Sequence, residues 1–402
     1  MKILQINSCV NMYSTGRIVE DIGIAIIEQG WESYVAYGRA ARESQSQLIK
    51  IGSNFDIRMH GIQTRLFDKQ GLASVKATKK FISEIKSIEP DLIHIHNIHD
   101  YYINYPLLFN YLASANIPIV WTFHDAWPFT GHCAQFSLIA CEKWKTACYA
   151  CPQKNKYPSS YLLDRSKQNY NIKKRVFNSA ANLTIVPVSK FLGTLVQSSF
   201  LSQYPMQVIN NGIDLTVFKP QIQNYEIRIK YNIGNKMMLL GAATAWSVSK
   251  GLNDYFLLSE RLNKDEVIVL VGLKDEHFKN LPANIIGIKR TEDLNELVAL
   301  YSTSDIVLNL SYQETFGLTT AEGLACGTPG IVYNCTASPE LLTEKTGFVV
   351  APGDIDAVLK AIATIKKNGK SLYSKDCRER AELFYNKDER YGDYIELYKS
   401  LL

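Results

Sequence analysis

Long apolar runs are missing from this 402-residue chain. No stretch approaches the roughly 18 consecutive apolar residues of a membrane span, so no transmembrane helix is expected. A secretory leader is not expected either. The opening "MKILQINSCVNMYSTG" has neither a long apolar core nor a cleavage site, and reads as a first strand. That leads us to expect a cytoplasmic protein whose eight cysteines stay reduced. Charge of one sign is also scarce: a formal net charge of +5 is too mild to argue for nucleic acid, and no such partner is expected. What remains is 46% hydrophobic and 21% charged, the profile of a globular chain with room for two ordinary domains.

The most informative stretch runs from Asp305 to Pro339, "DIVLNLSYQETFGLTTAEGLACGTPGIVYNCTASP". Ile306, Val307, Leu308 and Leu310 predict a buried strand. A turn carrying Glu314, Phe316 and Gly317 follows, then a helix with Leu318, Ala321, Leu324 and Ala325 on one face. Gly327 and Pro329 end it, and Gly330 to Tyr333 reads as a second strand. Glu314 would sit on the loop at the first strand's carboxyl end, where open α/β sheets bind ligands. Glu322, eight residues on, falls in the early turns of the helix, so both carboxylates can face one crevice. The amides around Gly317, Leu318 and Thr319 are the unpaired donors of a helix start, suited to a phosphate. A carboxylate accepts well from two vicinal hydroxyls. Together these features describe a nucleotide-sugar site. The alternative is that Glu322 is only a favourable acid in a helix's first turns, and spacing alone leaves both readings open.

Resemblance separates them. The chain reads "E-T-F-G-L" from Glu314 and "E-G-L-A-C-G-T-P" from Glu322. This resembles the donor-site signature of glycosyltransferase family 4, in which two Glu separated by seven intervening residues are set in "E-G-F-G-L" and "E-A-x-A-C-G-T-P". The resemblance extends, more weakly, towards the N-terminus. It implies an α/β GT-B fold, two Rossmann-like domains facing each other across a cleft. An acceptor-binding domain is expected over 1–205, a nucleotide-sugar-binding domain over 206–380, and a helix crossing back over 381–402. The turn Asn211-Gly212-Ile213-Asp214 resembles the family's crossover.

The resemblance also implies roles. Glu322 would hold the ribose, Glu314 and His124 the transferred sugar, with Phe316, Gly317, Leu318 and Thr319 lining the donor site. Lys250 and Gly251 match the family's Lys-Gly pair, whose cation holds the donor diphosphate. Lys250, Glu314 and His124 are therefore the expected catalytic residues. The Arg that usually precedes this pair reads Ala245. A bidentate phosphate partner is lost there, so Lys250 carries more of the charge, or Lys274 or Arg290 substitutes. Ile288 and Lys289 would lie near the nucleobase.

In the N-terminal half, Lys2 to Ile6 and Trp31 to Tyr37 predict strands, and Arg17 to Gln29 and Leu72 to Ile88 helices. The turn "NSCVNMYSTGRI" has only Gly16 where the family has paired glycines. Ser14, Thr15 and Gly16 would offer amides to the acceptor or form a plain helix cap. Leu92 to His96 predicts a strand; His94 and His96 share its face, but with His99 they lack a fourth partner for a metal. The run resembles the family's "D-x-I-H-x-H", which gives His96 to the cleft and leaves His94 structural. "T-F-H-D" at Thr122 to Asp125 resembles the family element whose His, here His124, reaches the sugar. Asp125 would stand behind it or face the acceptor.

Cys133, Cys141, Cys148 and Cys151 crowd one segment, the last two as Cys-x-x-Cys. In a reducing compartment such clustering favours metal over disulfide, so a structural Zn²⁺ held by these four thiolates is one reading and plain loop thiols the other. The following "QKNKYPSSYLLDRSKQNYNIKKRVF" mixes cations with aromatic and apolar residues. It would lie on an anionic membrane, or be a solvated helix face.

The implied function is a retaining glycosyltransferase without a catalytic metal. It would move a hexose or N-acetylhexosamine from a nucleotide-sugar, a UDP-sugar being the expected donor. The acceptor would be a glycan or polyprenyl-diphosphate-linked sugar in capsule, O-antigen or exopolysaccharide assembly. The mild positive charge suits an anionic donor and peripheral contact with the inner face of the cytoplasmic membrane. A nucleotide-sugar epimerase of the same fold and a non-catalytic partner of a transferase complex are the alternatives.

Overall fold

The computed structural model describes residues 1–221 and 225–402. The chain divides into two units, one of Met1–Asn210 with Arg390–Leu402, the other of Asn211–Glu389. The sequence-based divisions were 205/206 and 380/381, so the first strand-and-helix unit runs slightly longer and the return begins later.

In the first unit, β1 (Lys2–Val10), β2 (Glu32–Ala41), β3 (Gln47–Lys50), β4 (Leu92–Ile95), β5 (Ile119–Phe123) and β6 (Leu183–Pro187) form one sheet. Its helices are α1 (Tyr13–Glu28), α2 (Asn54–Phe67), α3 (Val75–Ile88), α4 (Tyr105–Ala115), α5 (Ser166–Phe177) and α6 (Lys190–Gln197). The second unit holds α7 (Tyr225–Lys230), β7 (Met237–Ala242), α8 (Leu252–Ser259), β8 (Glu266–Val271), α9 (Asp275–Phe278) and β9 (Ile285–Ile288). It continues with α10 (Leu294–Thr303), β10 (Ile306–Asn309), α11 (Leu318–Ala325), β11 (Gly330–Tyr333) and β12 (Gly347–Val350). Helices α12 (Ile355–Asn368), α13 (Ser371–Tyr385) and α14 (Lys387–Leu401) follow.

The sheet orders are β3-β2-β1-β4-β5-β6 and β12-β11-β10-β7-β8-β9, and the pairings are parallel. Parallel strands are covered on both faces, which is why they read as apolar runs rather than alternations. β10 and β11 are buried at every position. In each sheet the order reverses once, between β1 and β4 and between β7 and β10. The carboxyl ends of those strand pairs are where a doubly wound sheet receives a ligand.

The end of α14 completes the first unit's core. Tyr391, Tyr394, Ile395 and Tyr398, at helical spacing, pack among Ile3, Ile18, Ile22 and Val120. The Tyr394 hydroxyl meets Thr122 Oγ1 at 2.9 Å and the Tyr398 hydroxyl meets His94 Nδ1 at 2.6 Å. His94 also bonds Thr122 Oγ1 at 2.8 Å, so this buried histidine fastens the terminal helix to β4 and β5.

Three differences from expectation bear on function. α1 starts at Tyr13, not Arg17, after left-handed turns at Asn11 and Tyr13. The helix expected over 72–88 is shorter, and α2, not foreseen, precedes it. The basic segment after the cysteines does not lie open as one amphipathic face: α5 buries Tyr170, Lys173, Val176 and Phe177.

Candidate active site

In the second unit, the loops leaving β7 and β10 are knitted together. Gly251 closes the first, at φ 71°, and a Cβ there would stand 2.0 Å from the Leu310 carbonyl oxygen. Only glycine allows that approach. The Tyr312 N–H donates to the Ser249 carbonyl at 2.9 Å. This brings Lys250 Nζ to 2.6 Å from Glu314 Oε1. The Glu314 backbone is fixed as well: its N–H donates to Thr336 Oγ1 at 2.9 Å, and its carbonyl accepts from Ala337.

Three residues later Gly317, at φ 105°, opens α11. The Gly317 carbonyl accepts from Thr320 and Ala321, which leaves the N–H groups of Leu318 and Thr319 without an intrahelical acceptor. An anion placed at this helix start meets those donors and the positive end of the dipole. Glu322 stands one turn further on, with Oε2 taking a 2.8 Å hydrogen bond from the hydroxyl of buried Tyr301. Burial and the neighbouring Glu322 raise that phenol well above its usual range, so it stays a donor. Lys250, Glu314 and the start of α11 thus share one edge of the sheet, at the point where its order reverses.

In the first unit, His96 and His124 end adjacent strands, and a chain of bonds sets their tautomers. The Gln5 side-chain nitrogen donates to the Val19 carbonyl, which turns its oxygen to His96 Nε2 at 3.1 Å. His96 Nε2 therefore carries hydrogen. Burial holds His96 neutral, so its Nδ1 accepts from His124 Nε2 at 3.1 Å. His124 is depressed to about 4 by burial, against the opposing pull of Asp125. A neutral His124 that donates from Nε2 keeps Nδ1 as an acceptor, able to take a hydroxyl hydrogen.

A second cluster lies beside it. His99 Nε2 is 2.9 Å from Asp125 Oδ2, and His99 Nδ1 is 2.9 Å from the Tyr157 hydroxyl, which itself bonds Asp100. Burial alone would depress His99, but the Asp125 and Asp100 carboxylates outweigh it and raise it to about 10. The same contacts hold Asp100 well below the usual carboxylate range, despite burial. Asp125 Oδ1 also accepts the Trp127 N–H at 2.9 Å, so both oxygens of Asp125 are engaged. Sequence reasoning singled out Asp125 but missed the link to Tyr157, which lies 58 positions from His99 in an irregular loop.

Residues 15–217 match the model described as Glycosyltransferase Family 4, and residues 248–384 the one described as Glycosyl transferases group 1. The chain belongs to glycosyltransferase family 4. Among relatives of this family 4 protein, WcaC of Escherichia coli (strain K12), named for colanic acid biosynthesis as a glycosyl transferase, is 24% identical over the whole of both chains. An Escherichia coli UDP-Gal:alpha-D-GlcNAc-diphosphoundecaprenol alpha-1,3-galactosyltransferase is 25% identical over 50% of this chain and 56% of its own. Of solved structures, sucrose-phosphate synthase from Thermosynechococcus elongatus superposes with a TM-score of 0.73 at 18% identity, covering 100% of this chain and 98% of its own. Anabaena HepE, solved with UDP, gives 0.70 at 14% identity and full coverage of both. At these identities the likeness shows the fold, which is GT-B.

Several family 4 expectations shift in detail. Phe316 is buried, its ring against Tyr385 at 5.6 Å, so its side chain packs rather than faces a ligand. Gly16 lies one turn inside α1, not ahead of it, so the amides at the helix start belong to Tyr13, Ser14 and Thr15. The Gly16 carbonyl accepts the Asn11 N–H at 2.9 Å, and its bare Cα lets α1 approach Cys9. Ala245 is exposed beside Trp246, whose indole N–H bonds the Val271 carbonyl. Lys274 follows β8, next to β7 in the sheet, and Arg290 follows β9, one strand further out. The Ile288 carbonyl already accepts from Gly272 and Leu273, and Lys289 pairs with Asp275.

Of the two readings of Cys133, Cys141, Cys148 and Cys151, structural zinc or plain loop thiols, the structure gives the zinc reading no support. The four line one small cavity, but among the described residues no three His, Cys, Asp or Glu side chains group to hold a metal ion. All four are free thiols, and Cys148 Sγ accepts the Gly131 N–H at 3.1 Å.

Proposed function

We propose that this glycosyltransferase moves a hexose or N-acetylhexosamine, with retention, from a UDP-sugar to a glycan or polyprenyl-diphosphate-linked acceptor in capsule, O-antigen or exopolysaccharide assembly. The observation that carries the donor reading is the Lys250–Glu314 pair beside the open amides of α11, at the reversal of the second sheet. Lys250 and the Leu318 and Thr319 amides would take the charge of the departing diphosphate, a preorganised electrostatic contribution. Glu314 would orient sugar hydroxyls and Glu322 the ribose, with Tyr301 steering one of its oxygens. His124 would accept from a sugar hydroxyl through Nδ1, while Gly16, His96 and Asp125 belong to the acceptor side. No side chain is assigned as a nucleophile; the acceptor hydroxyl attacks from the face the diphosphate leaves, and its proton passes to that phosphate. Relatives named for colanic acid and for a diphosphoundecaprenol-linked sugar support the acceptor class. That class would place the enzyme at the inner face of the cytoplasmic membrane. Both matched families are glycosyl transferases, which speaks against the epimerase alternative.

Calorimetry with UDP, GDP and ADP tests the donor site. UDP should bind, and Glu322→Ala should weaken it about 10- to 100-fold through loss of charge-assisted bonds to the ribose. If none of the three nucleotides binds, the donor reading fails and a non-catalytic role gains ground.

A further inference from the structure

A polar cleft of about 370 Å³ lies in the second unit, at the edge of the sheet opposite Lys250 and Glu314. Met237 opens β7 there, and Asp265 and Asp305 immediately precede β8 and β10. These strands are parallel, so their amino ends share this edge and the loops carrying Lys250 and Glu314 leave from the other. The six residues of β7 put roughly 15–20 Å between the two edges. The volume falls at the lower end of the range for small-molecule pockets. None of the residues assigned to donor or acceptor lines it.

The charges in this cleft are unevenly matched. Lys366 Nζ is held by Asp265 at 2.8 Å and by Glu266 at 2.7 Å, so the β8 side carries a surplus carboxylate. On the β10 side, Asp305 accepts the Met238 N–H at 2.7 Å and stands 3.6 Å from Arg228. Arg228 also donates to the Gly234, Lys236 and Thr303 carbonyls. Lys370 Nζ reaches carbonyls instead, those of Ser302 at 2.6 Å and Ser304 at 2.8 Å, and among the described residues no carboxylate pairs with it. Burial pulls this ammonium down to about 8, against the attraction of Asp305. Lys236 stands exposed at the rim just before β7, likewise with no paired carboxylate among the described residues. Capping the end of α10 accounts for the two carbonyl bonds of Lys370. It leaves a part-buried positive charge uncompensated, which is costly unless an anion meets it.

We propose that this cleft is a second ligand site, taking a small phosphate monoester that also carries hydroxyl groups. Two ammonium groups without carboxylates, Lys236 and Lys370, match the dianion that such a monoester becomes near neutral pH. On the β8 side, the Asn235 amide and the Asp265 carboxylate supply acceptors for hydroxyls. The two sides of the cleft therefore select together. A ligand negative along its whole length would be repelled by Asp265, and an uncharged sugar would leave both ammonium groups unmet. The inference goes beyond the transferase reading and does not rest on it, because no donor or acceptor role falls on these residues.

Calorimetry on the full chain tests it, with fructose 6-phosphate titrated with and without saturating UDP. Saturable binding of one molecule per chain is expected in both, tighter than inorganic phosphate, while fructose gives no heat. Lys236→Glu should weaken this binding about 10-fold or more, with an unchanged melting temperature because Lys236 is exposed. Lys370→Gln should weaken it as well; where loss of the α10 cap lowers the melting temperature, Lys236→Glu decides alone. Fructose 6-phosphate that gives no saturable heat, or a Lys236→Glu protein that binds it like wild type, overturns the proposal. So does binding that UDP displaces, which would return the ligand to the donor site. If UDP itself does not bind, the donor reading fails separately, and the comparison of wild type with Lys236→Glu still decides the cleft.

Discussion

On the proposed donor reading, a donor diphosphate and Glu314 would compete for one ammonium group, because Lys250 Nζ is held 2.6 Å from Glu314 Oε1. The two halves of the pair should therefore respond in opposite directions to the same ligand. Glu314→Gln removes the competing charge and frees Lys250, whereas Lys250→Met leaves the diphosphate without its cation. The pair is part-exposed, with side chains 33% and 13% accessible. Its net worth after screening and desolvation is about 1 kcal/mol, at the upper end for surface pairs and below a buried one. Glu314→Gln should thus tighten UDP binding by up to about 5-fold. Lys250→Met removes a charge-assisted hydrogen bond of about 1.5–3 kcal/mol and should weaken UDP binding about 10- to 100-fold. Sugar transfer should fall in both, so only binding separates the roles. Calorimetry with UDP on wild type, both variants and the double variant closes the cycle. In the double variant the gain from Glu314→Gln should vanish, since no ammonium remains to be freed. A Glu314→Gln protein that binds UDP as poorly as Lys250→Met would refute the competition.

Two further outcomes follow from the geometry. Gly251→Ala puts a methyl group 2.0 Å from the Leu310 carbonyl at φ 71°; the obstacle is backbone, so we expect a loss of about 2–4 kcal/mol, read as a lower melting temperature with weakened UDP binding, and an unchanged melt would contradict it. His99 is raised from 6.5 to about 10 by Asp125 and Asp100 against its burial. Its contribution is fully present below 6.5 and lost as pH rises through about 10. Urea midpoints across that window should fall more steeply for wild type than for Asp125→Asn, and parallel slopes would show that His99 does not carry the dependence.

How much of this was legible in the sequence depends on whether the signal is local. β10, α11 and β11 could be read directly, because apolar runs, a 3.6-residue period and the Gly327–Pro329 stop lie within one stretch. The Lys250–Glu314 pair spans 64 positions and no periodicity connects them; a family resemblance did, while Gly251's collision with Leu310 became visible only in three dimensions. His99 and Tyr157 show the opposite case. His99 was noticed as one of three neighbouring histidines, but its partners lie on β5's exit loop and in a segment with no helix or strand, where sequence patterns carry no information about approach.

Helix α2 went unread for a different reason, which bears on what the pattern rules assume. Phe55, Met59 and Ile62 do recur at helical spacing, but the residues expected to flank a core-facing stripe are His60, Gly61 and Thr64, and these are the ones that pack. The periodicity rule supposes that water covers whatever the core does not, so the apolar side must be the inner one. In α2 Phe55, Met59 and Ile62 are exposed, so that premise fails and the stripe marks the outside of the helix. The inner face needs specific hydrogen bonds instead, as His60 supplies through Gly71 and Ser74. Those bonds are satisfied with the imidazole neutral, and burial holds it so by depressing it to about 4. An inverted helix is therefore not a weak version of an ordinary one. It is anchored by polar groups whose partners lie 11 and 14 positions away, which is why neither propensity nor apolar period revealed it.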